Sequence, residues 1–249
     1  MSKGKLVGRG GRADVYGWGP DRVLKLFKPR FASSADLEVA NTRAARAAGV
    51  RVPEVFERVQ IEGREGFVLE RIEGPSLLEA PRREGMDVYE RLARIHADVH
   101  ACTSAALPSG VQRLQVAIER FPAQRAALEE RAARIPPGTA VCHGLFHPGH
   151  VLLARSGPVI IDWPDAFCGP PAWDVARTAV FLRYVGVPSP FEPFRRRPQV
   201  EDYVAAYLAR SIVTMEEVRA CLPLAALVVL LQAPRHPERA LLEIMAELD

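Results

Sequence analysis

The segment from residue 141 to 176 carries most of the side chains in this chain that could do chemistry. A loop rich in His, Gly and Pro runs into two short apolar segments, residues 151–153 and 158–161, which are separated by a turn and therefore predict a β-hairpin. Because polar groups at the ends of buried strands are how a scaffold presents a reactive site, we expect the titratable residues at its open end to lie close together. These residues are His143, His147, His150 and Asp162.

A second group of interest lies near the N-terminus, where Lys25 stands in the apolar segment VLKLF. The chain has only four lysines and otherwise uses arginine for positive charge, so a lysine inside a strand pattern indicates a specific role. The preceding turn contains Gly8, Gly10 and Gly11, and glycine lets backbone N–H groups approach a phosphate closely. A plain β-turn is the alternative, whereas a P-loop is excluded because no GxxxxGK[ST] motif occurs.

The elements around Lys25 predict a small sheet. Residues 5–27 indicate three short strands, residues 34–49 a helix, and residues 55–60 and 66–71 two further strands, which together form a five-stranded antiparallel sheet with one helix. Glu38 lies one turn into that helix, where it is either a solvated acid or a partner of Lys25.

The rest of the chain predicts a helical part. The segment ERIEGP at residues 70–75 indicates a linker, so we expect two domains, residues 1–73 and 74–249. Helices are predicted at 87–102, 111–134 with an interruption near residue 121, 173–185, 199–209, 215–222, 224–231 and 238–248. The first of them carries His96 and His100 one turn apart, a spacing that could bind a metal. No third ligand accompanies the pair in sequence, which favours packing or surface histidines.

Composition excludes several classes of function. The chain is 48% hydrophobic and 25% charged, which is typical of a globular protein. No apolar run approaches the roughly 20 residues that span a bilayer, and the N-terminus lacks the apolar core of a signal peptide, so we expect a cytoplasmic protein with no membrane partner. The net charge of +3 is dispersed, which indicates no nucleic-acid partner.

The order of these parts resembles an α+β, bilobal protein-kinase-like fold, and the chain is similar to the aminoglycoside phosphotransferase family, the branch that includes choline and homoserine kinases. Its strongest anchor is HGLFHPGHVLL followed by VIIDWPDAFCGPPAWDVA. The family's pattern there is His-Gly-Asp, four residues, Asn, an Ile-Asp-Trp strand, and later Gly-Asp-Pro with a second Asp. The spacing agrees at every step.

The resemblance implies a protein that binds ATP or GTP with Mg²⁺ and a small-molecule acceptor. Lys25 would contact the α- and β-phosphates and would be oriented by Glu38. The backbone of Glu70 and Ile72 would face the edge of the base. Asp162 would coordinate Mg²⁺. His143 would be a structural residue of the loop, and Asp174 would hold the loop from behind, although an acid at a helix N-terminus is also an adequate explanation of Asp174.

Two departures from the family's pattern bear on activity. Leu145 occupies the position of the catalytic Asp, which accepts the proton of the acceptor hydroxyl and typically contributes about 10²–10⁴-fold. His150 occupies the position of the metal-binding Asn, and because Mg²⁺ prefers oxygen ligands, this contact is weakened or shifts toward softer ions. A smaller departure is Pro170, which replaces the Asp of Gly-Asp-Pro.

These features leave several hypotheses open. The first is a pseudokinase that binds nucleotide but has lost or reduced phosphoryl transfer. The second is an active small-molecule kinase in which His147 or His150 serves as a substitute base. The third is a metal-binding protein, with its site formed by the three loop histidines and Asp162, or a regulatory module without nucleotide. Residues 175–249 contain nine arginines and nine acidic residues, a balance that argues against a cationic acceptor such as an aminoglycoside.

Overall fold

A five-stranded antiparallel sheet forms the N-terminal part of the computed structural model, which describes residues 3–80, 87–122, 124–185 and 200–232. The sheet has five antiparallel strands, as predicted, and they lie in the order β1-β2-β3-β5-β4. Their bounds are β1 (Leu6–Arg9), β2 (Ala13–Gly17), β3 (Arg22–Phe27), β4 (Val55–Ile61) and β5 (Arg64–Glu70). The central strand is β3, so Lys25 has a strand neighbour on each side, opposite Val15 of β2 and Phe67 of β5.

Alternation along β3 decides which way Lys25 points. Leu24 and Leu26 are fully buried in one cluster, whereas Phe27 belongs to a different cluster with Ala35 and Val39 of helix α1 (Ser34–Ala47). Since side chains alternate between the two faces of a strand, Lys25 shares the face of Phe27 and therefore points toward α1. The helix is followed by Gly49, whose φ of +96° is a conformation that favours glycine.

The C-terminal part is mainly helical, and its helices pack around one large core that contains Trp163 and Trp173. Helix α2 packs against α6, and α5 against α7. In the described part of the chain, no helix combines the length and apolarity needed to cross a bilayer. The helices are α2 (Val88–His100), α3 (Gly110–Ile118), α4 (Arg125–Ala133), α5 (Pro171–Val180), α6 (Val200–Leu208) and α7 (Met215–Gln232).

The predicted break between residues 222 and 224 was wrong. Helix α7 continues through Pro223, although proline removes a backbone hydrogen bond. Leu224, Ala225 and Leu227 on the far side of the proline are buried in the core, and this burial offsets the local cost. The helix predicted at 173–185 is α-helical only as far as Val180. The chain then forms a π-helical turn, Phe181–Val185. The predicted helix at 238–248 lies outside the described residues.

Two strand pairs bring the reactive loop and Asp162 together. The predicted hairpin is present as β7 (Val151–Ala154) and β8 (Gly157–Ile160). A second pair, β6 (Ala140–Cys142) with β9 (Phe167–Gly169), was not anticipated because each strand has only three residues. Since β6 leads into the loop and β8 ends just before Asp162, the two pairs hold both segments at the same end of the hairpin.

Candidate functional site

Lys25 joins the sheet to the helical part through two carboxylates. Its Nζ lies 2.6 Å from Glu38 Oε1 and 2.5 Å from Asp162 Oδ1. Burial lowers the pKa of Lys25, but the attraction of Asp162 and Glu38 outweighs it and the pKa is raised. For the carboxylate of Asp162 burial has the opposite effect and raises the pKa, yet Lys25 and His150 hold this pKa well below its usual range. The pair is therefore charged.

Glu38 shares the same ammonium but is more deeply buried. Burial raises the pKa of Glu38 to about 7, since Lys25 lowers it less and the nearby Asp162 raises it further. Only 2% of the residue is exposed. Of the two interpretations of Glu38 from the sequence, the structure shows a partner of Lys25 and not a solvated acid. Asp162 itself has φ of +69°, an unusual conformation for a residue other than glycine and one that is often found at functional sites.

His143 is a structural bridge inside the loop. Its Nε2–H donates to the carbonyl of Ile161 at 3.0 Å, and its Nδ1 accepts from the N–H of Leu145 at 3.3 Å. Burial, followed by the neighbouring His150, lowers the pKa of His143 to about 4, so the ring is neutral and both contacts agree with one tautomer. The side chain of Leu145 is partly buried and packs against the core. It offers no group that could accept a proton.

Asp174 of α5 lies behind the loop and accepts several hydrogen bonds. Its Oδ1 accepts from the N–H of Gly144 at 2.9 Å, and its Oδ2 accepts from the N–H of His143 at 2.6 Å. Burial raises the pKa of Asp174, but its hydrogen bonds with His100 and His96 hold it well below the usual range. A buried, ionised carboxylate on two consecutive backbone N–H groups is the geometry expected of a residue that holds the loop from behind.

His96 and His100 are buried partners of Asp174. Their Nε2 atoms lie 3.1 and 3.3 Å from Asp174 Oδ2. Their Nδ1 atoms each lie 2.7 Å from a hydroxyl of α6, that of Tyr203 for His96 and that of Tyr207 for His100. The sequence showed no third potential metal ligand near this pair of histidines. The fold supplies one, the carboxylate of Asp174 in α5.

The same trio is the one group in the described part of the chain whose ligand atoms converge closely enough for a metal ion. Each imidazole nitrogen already has a hydrogen-bond partner, so hydrogen bonding accounts for the cluster. The three loop histidines and Asp162 do not converge in this way, and the structure gives no support to a metal centre built on those four residues.

His147 and His150 are also engaged within the loop. The Nδ1–H of His150 donates to the carbonyl of Leu145 at 3.0 Å, and its Nε2 faces Asp162 Oδ2 at 3.1 Å. The Nδ1 of His147 accepts from the N–H of Gly149, and its ring stacks on Phe181. Burial, and then His150 and His143, hold the pKa of His147 well below its usual range, so this imidazole is a weak base.

The glycine-rich hairpin contacts the segment that follows Asp162. Gly8 lies in β1, and Gly10 and Gly11 form the turn that follows it. The adjacent Arg12 pairs with Asp165 at 3.0 Å, three residues after Asp162. Sequence reasoning did not single out Arg12, because an arginine in a turn resembles ordinary surface charge.

A further contact between the two parts was also missed. The buried side chain of Asn41 in α1 donates from Nδ2 to the carbonyl of Trp163 at 2.9 Å. Together with Lys25 and Arg12, it fastens the segment from Asp162 to Asp165 to the N-terminal part. An asparagine inside a helix gives no local signal for such a role.

The linker at residues 70–75 leaves the backbone N–H of Ile72 available as a donor. The N–H groups of Glu70 and Arg71 donate to the carbonyls of Glu54 and Asp21, whereas that of Ile72 makes no hydrogen bond to any described residue. A cavity of about 500 Å³ borders the linker at residues 70–73. Lys25 and Asp162 do not line it, so it is separate from the ion-pair site.

The arrangement is thus a part-buried lysine between two carboxylates, a glycine-rich hairpin joined through Arg12 to the segment after Asp162, and a loop fixed from behind. The model of the phosphotransferase enzyme family (APH) matches residues 6–221. The chain belongs to this family. Leu145 and His150, the two positions at which the sequence predicts a departure from the family's pattern, both lie in the loop whose His150 faces Asp162.

Solved structures of other phosphotransferase family proteins share the fold. A thermostable mutant of aminoglycoside phosphotransferase APH(4)-Ia, in a ternary complex with ADP and hygromycin B, is 17% identical over 92% of this chain and 84% of that one, with a TM-score of 0.62. The GDP and kanamycin complex of APH(2")-IIia is 20% identical over 100% and 93%, with a TM-score of 0.54.

A choline/ethanolamine kinase family protein from Mesorhizobium loti is 18% identical to the chain over 98% of this chain and 86% of that one, with a TM-score of 0.59. A comparison with curated protein sequences gave no match. These likenesses confirm the predicted fold class, an α+β, bilobal protein-kinase-like architecture.

The residues at the metal position fit a divalent cation in part. Asp162 supplies a carboxylate, the ligand type that Mg²⁺ prefers, while His150 supplies a nitrogen 3.1 Å from it. Imidazole suits softer divalent ions better than Mg²⁺. The pair therefore agrees with a divalent cation but does not reproduce an all-oxygen magnesium site.

Proposed function

We propose that the protein binds ATP or GTP together with a divalent cation, Mg²⁺ or a softer ion, and that phosphoryl transfer to a small-molecule hydroxyl is lost or strongly reduced. The observation that carries this function is the contrast between two halves of one site. Lys25 forms an ion pair with Glu38, the pairing that orients a phosphate-contacting lysine, and a second ion pair with Asp162, whereas Leu145 stands where the family has its proton acceptor.

In this function the nucleotide lies between residues 1–73 and 74–249. Lys25, held by Glu38, contacts its phosphates, and the backbone from Glu70 to Ile72, with the N–H of Ile72 as a donor, meets the edge of the base. Similar proteins were solved with ADP and GDP, which supports a purine nucleotide as the ligand. Asp162 and His150 are the residues that would hold the cation, which would offset charge on the phosphates.

The loop gives little support to a substitute base. His147 is buried and its pKa is lowered, and the Nε2 of His150, the ring nitrogen that is left to accept a proton, lies against Asp162 Oδ2 at 3.1 Å. The loop is nevertheless rigidly held by His143 and Asp174, and positioning contributes much of phosphoryl-transfer catalysis. A low residual turnover therefore agrees with the proposed function.

The test is a titration of the purified protein with ATP, GTP and ADP in the presence of Mg²⁺ or Mn²⁺, followed by thermal unfolding and calorimetry. At a nucleotide concentration 100 times Kd we expect the melting temperature to rise by about 5–10 °C. Phosphate release and transfer to small alcohols and amino alcohols should stay near background. The absence of binding by every nucleotide would overturn the proposed binding, and rapid transfer would overturn the proposed loss of activity.

A further inference from the structure

Arg12 lies at the tip of the hairpin between β1 and β2 and crosses the cleft to the helical part. Its Nη1 is 3.0 Å from Oδ2 of Asp165, and its side chain is only 30% exposed. Asp165 follows Asp162 by three residues, so the hairpin and β3 each place one cation on the same short segment. A nucleotide whose phosphates contact Lys25 would thus meet the guanidinium of Arg12 beside them.

The direction of Arg12 is set by the backbone of the hairpin. The ammonium of Lys28 donates to the carbonyls of Gly10 and Gly11 at 2.8 and 3.2 Å. The backbone N–H of Lys28 donates to the carbonyl of Arg12 at 2.9 Å, and that of Gly10 to Ala13 at 2.8 Å. The tip is therefore held by the end of β3, and Arg12 projects from a defined turn.

The field of the cleft also acts on Arg12. Burial lowers the pKa of its guanidinium, but Asp165, then Asp162, and finally Glu38 outweigh burial and raise it. Arg12 therefore lies within electrostatic reach of the carboxylates that hold Lys25.

Asp165 keeps a second cationic neighbour on its other side. Arg113 of α3 has Nη1 3.8 Å from Asp165 Oδ1, and its Nη2 donates to the carbonyl of Pro164 at 3.1 Å. If Arg12 changes partner, this buried carboxylate still faces Arg113. Such an exchange therefore does not leave an uncompensated charge, which is the costly case in a protein interior.

We propose that Arg12 is a phosphate-binding residue of the nucleotide site and that Asp165 holds it in place in the nucleotide-free protein. On binding, the guanidinium exchanges the carboxylate for the terminal phosphate groups, whose oxygens match its planar fork. This supplies a side-chain cation at a site where His150 weakens the contact with Mg²⁺. Because the role presupposes nucleotide binding, it rests on the proposed function.

The experiment compares calorimetric titrations of ATP, ADP, AMP and adenosine into the wild-type protein, Arg12→Ala and Arg30→Ala. Arg30 is an exposed arginine of the same lobe and serves as the matched control. For Arg12→Ala we expect ATP affinity to fall about tenfold to a hundredfold, ADP affinity to fall less, and adenosine affinity to stay unchanged. An equal loss for all four ligands, or no loss, would overturn the assignment.

Two more variants separate phosphate binding from simple closure of the cleft. Asp165→Asn removes the competitor for Arg12, so we expect tighter ATP binding. If Arg12 only held the two parts of the chain together through Asp165, Asp165→Asn would instead weaken ATP binding as much as Arg12→Ala does. Arg12→Lys keeps the charge without the fork and should bind ATP with intermediate affinity. If the wild-type protein binds none of the ligands, the proposed function itself fails, and if ATP binds the wild type and Arg12→Ala equally, only the role of Arg12 fails.

Discussion

The Nζ of Lys25 lies 2.5 Å from Oδ1 of Asp162, although 137 residues separate the two in the chain. The contact joins the central strand of the sheet to the residue that follows the β7–β8 hairpin. On its other side the same ammonium bonds Glu38, so one cation serves two carboxylates. The contact between the sheet and the helical part at this point therefore rests on the ammonium of Lys25.

Substitution of Lys25 by Ala should weaken ATP binding at least tenfold, because a charged hydrogen bond to phosphate contributes about 1.5–3 kcal/mol. The free energy of unfolding should fall by about 1–3 kcal/mol, since Glu38 and Asp162 lose their partner. Calorimetry and urea unfolding measure the two effects. The exposed Lys5 provides the control variant Lys5→Ala, and equal ATP affinity in both variants would contradict the role of Lys25.

Substitution of Leu145 by Asp should raise phosphoryl transfer or ATP hydrolysis by about 10²–10⁴-fold, because it restores a proton acceptor in a loop that Asp174 already holds. The side chain introduced by Leu145→Asn is close in size and polarity to that of Asp but cannot accept the proton. The rate of this variant should therefore stay near that of the wild type. Initial rates of phosphate release at saturating ATP give the comparison. A rate equal in both variants would mean that the missing carboxylate is not the limiting defect.

Substitution of Asp174 by Asn should lower the free energy of unfolding by about 3–5 kcal/mol, since a fully buried carboxylate with four hydrogen-bond neighbours is replaced by a group that also donates. Asp98→Asn, at an exposed position of α2, should change it by no more than about 0.5 kcal/mol. Urea unfolding of both variants provides the measurement. A small effect at Asp174 would show that the loop is held by other contacts.

The stability of the protein should fall as the pH is lowered from about 6.5 toward 4.5, in part through His96. Burial, followed by His100, lowers the pKa of His96 to about 3 from 6.5. The unfolded chain therefore binds this proton first, and the contribution present above pH 6.5 is lost as the pH falls toward 3. Glu38 has the opposite sign, because its pKa is raised to about 7 and the folded state takes up its proton first.

The variant His96→Gln isolates this contribution, because the effect of Glu38 is common to both proteins. Urea unfolding between pH 7 and 4.5 should give a shallower loss of stability for the variant than for the wild type. Identical slopes would show that His96 takes up its proton equally in the folded and unfolded states.

The choice of cation should depend on His150. We expect the wild-type protein to bind ATP more tightly with Mn²⁺ than with Mg²⁺, because imidazole suits the softer ion. His150→Asn restores an oxygen ligand and should shift the preference toward Mg²⁺. Calorimetric titrations with each metal measure the ratio of affinities, and a ratio that does not change between the two proteins would exclude His150 from the cation site.

Much of the fold could be predicted from local patterns. Alternating apolar residues and turns predicted the five-stranded sheet, and the 3.6-residue period predicted the helices of the C-terminal part. The failures have physical causes. The strands β6 and β9 were too short to show a period, and Pro223 interrupts a pattern that core packing restores.

The sequence by itself determined the chemical character of the site: a lysine in a strand, a glycine-rich turn, and a loop with Leu145 and His150 where carboxylate and amide are expected. These are properties of residue type and spacing, which do not depend on packing. Only the tertiary structure decided which side chains meet, because contacts such as Arg12 with Asp165 or His96 with Asp174 join residues that are remote in the chain. Their approach depends on how the sheet and helices bury one another, and no local pattern records it.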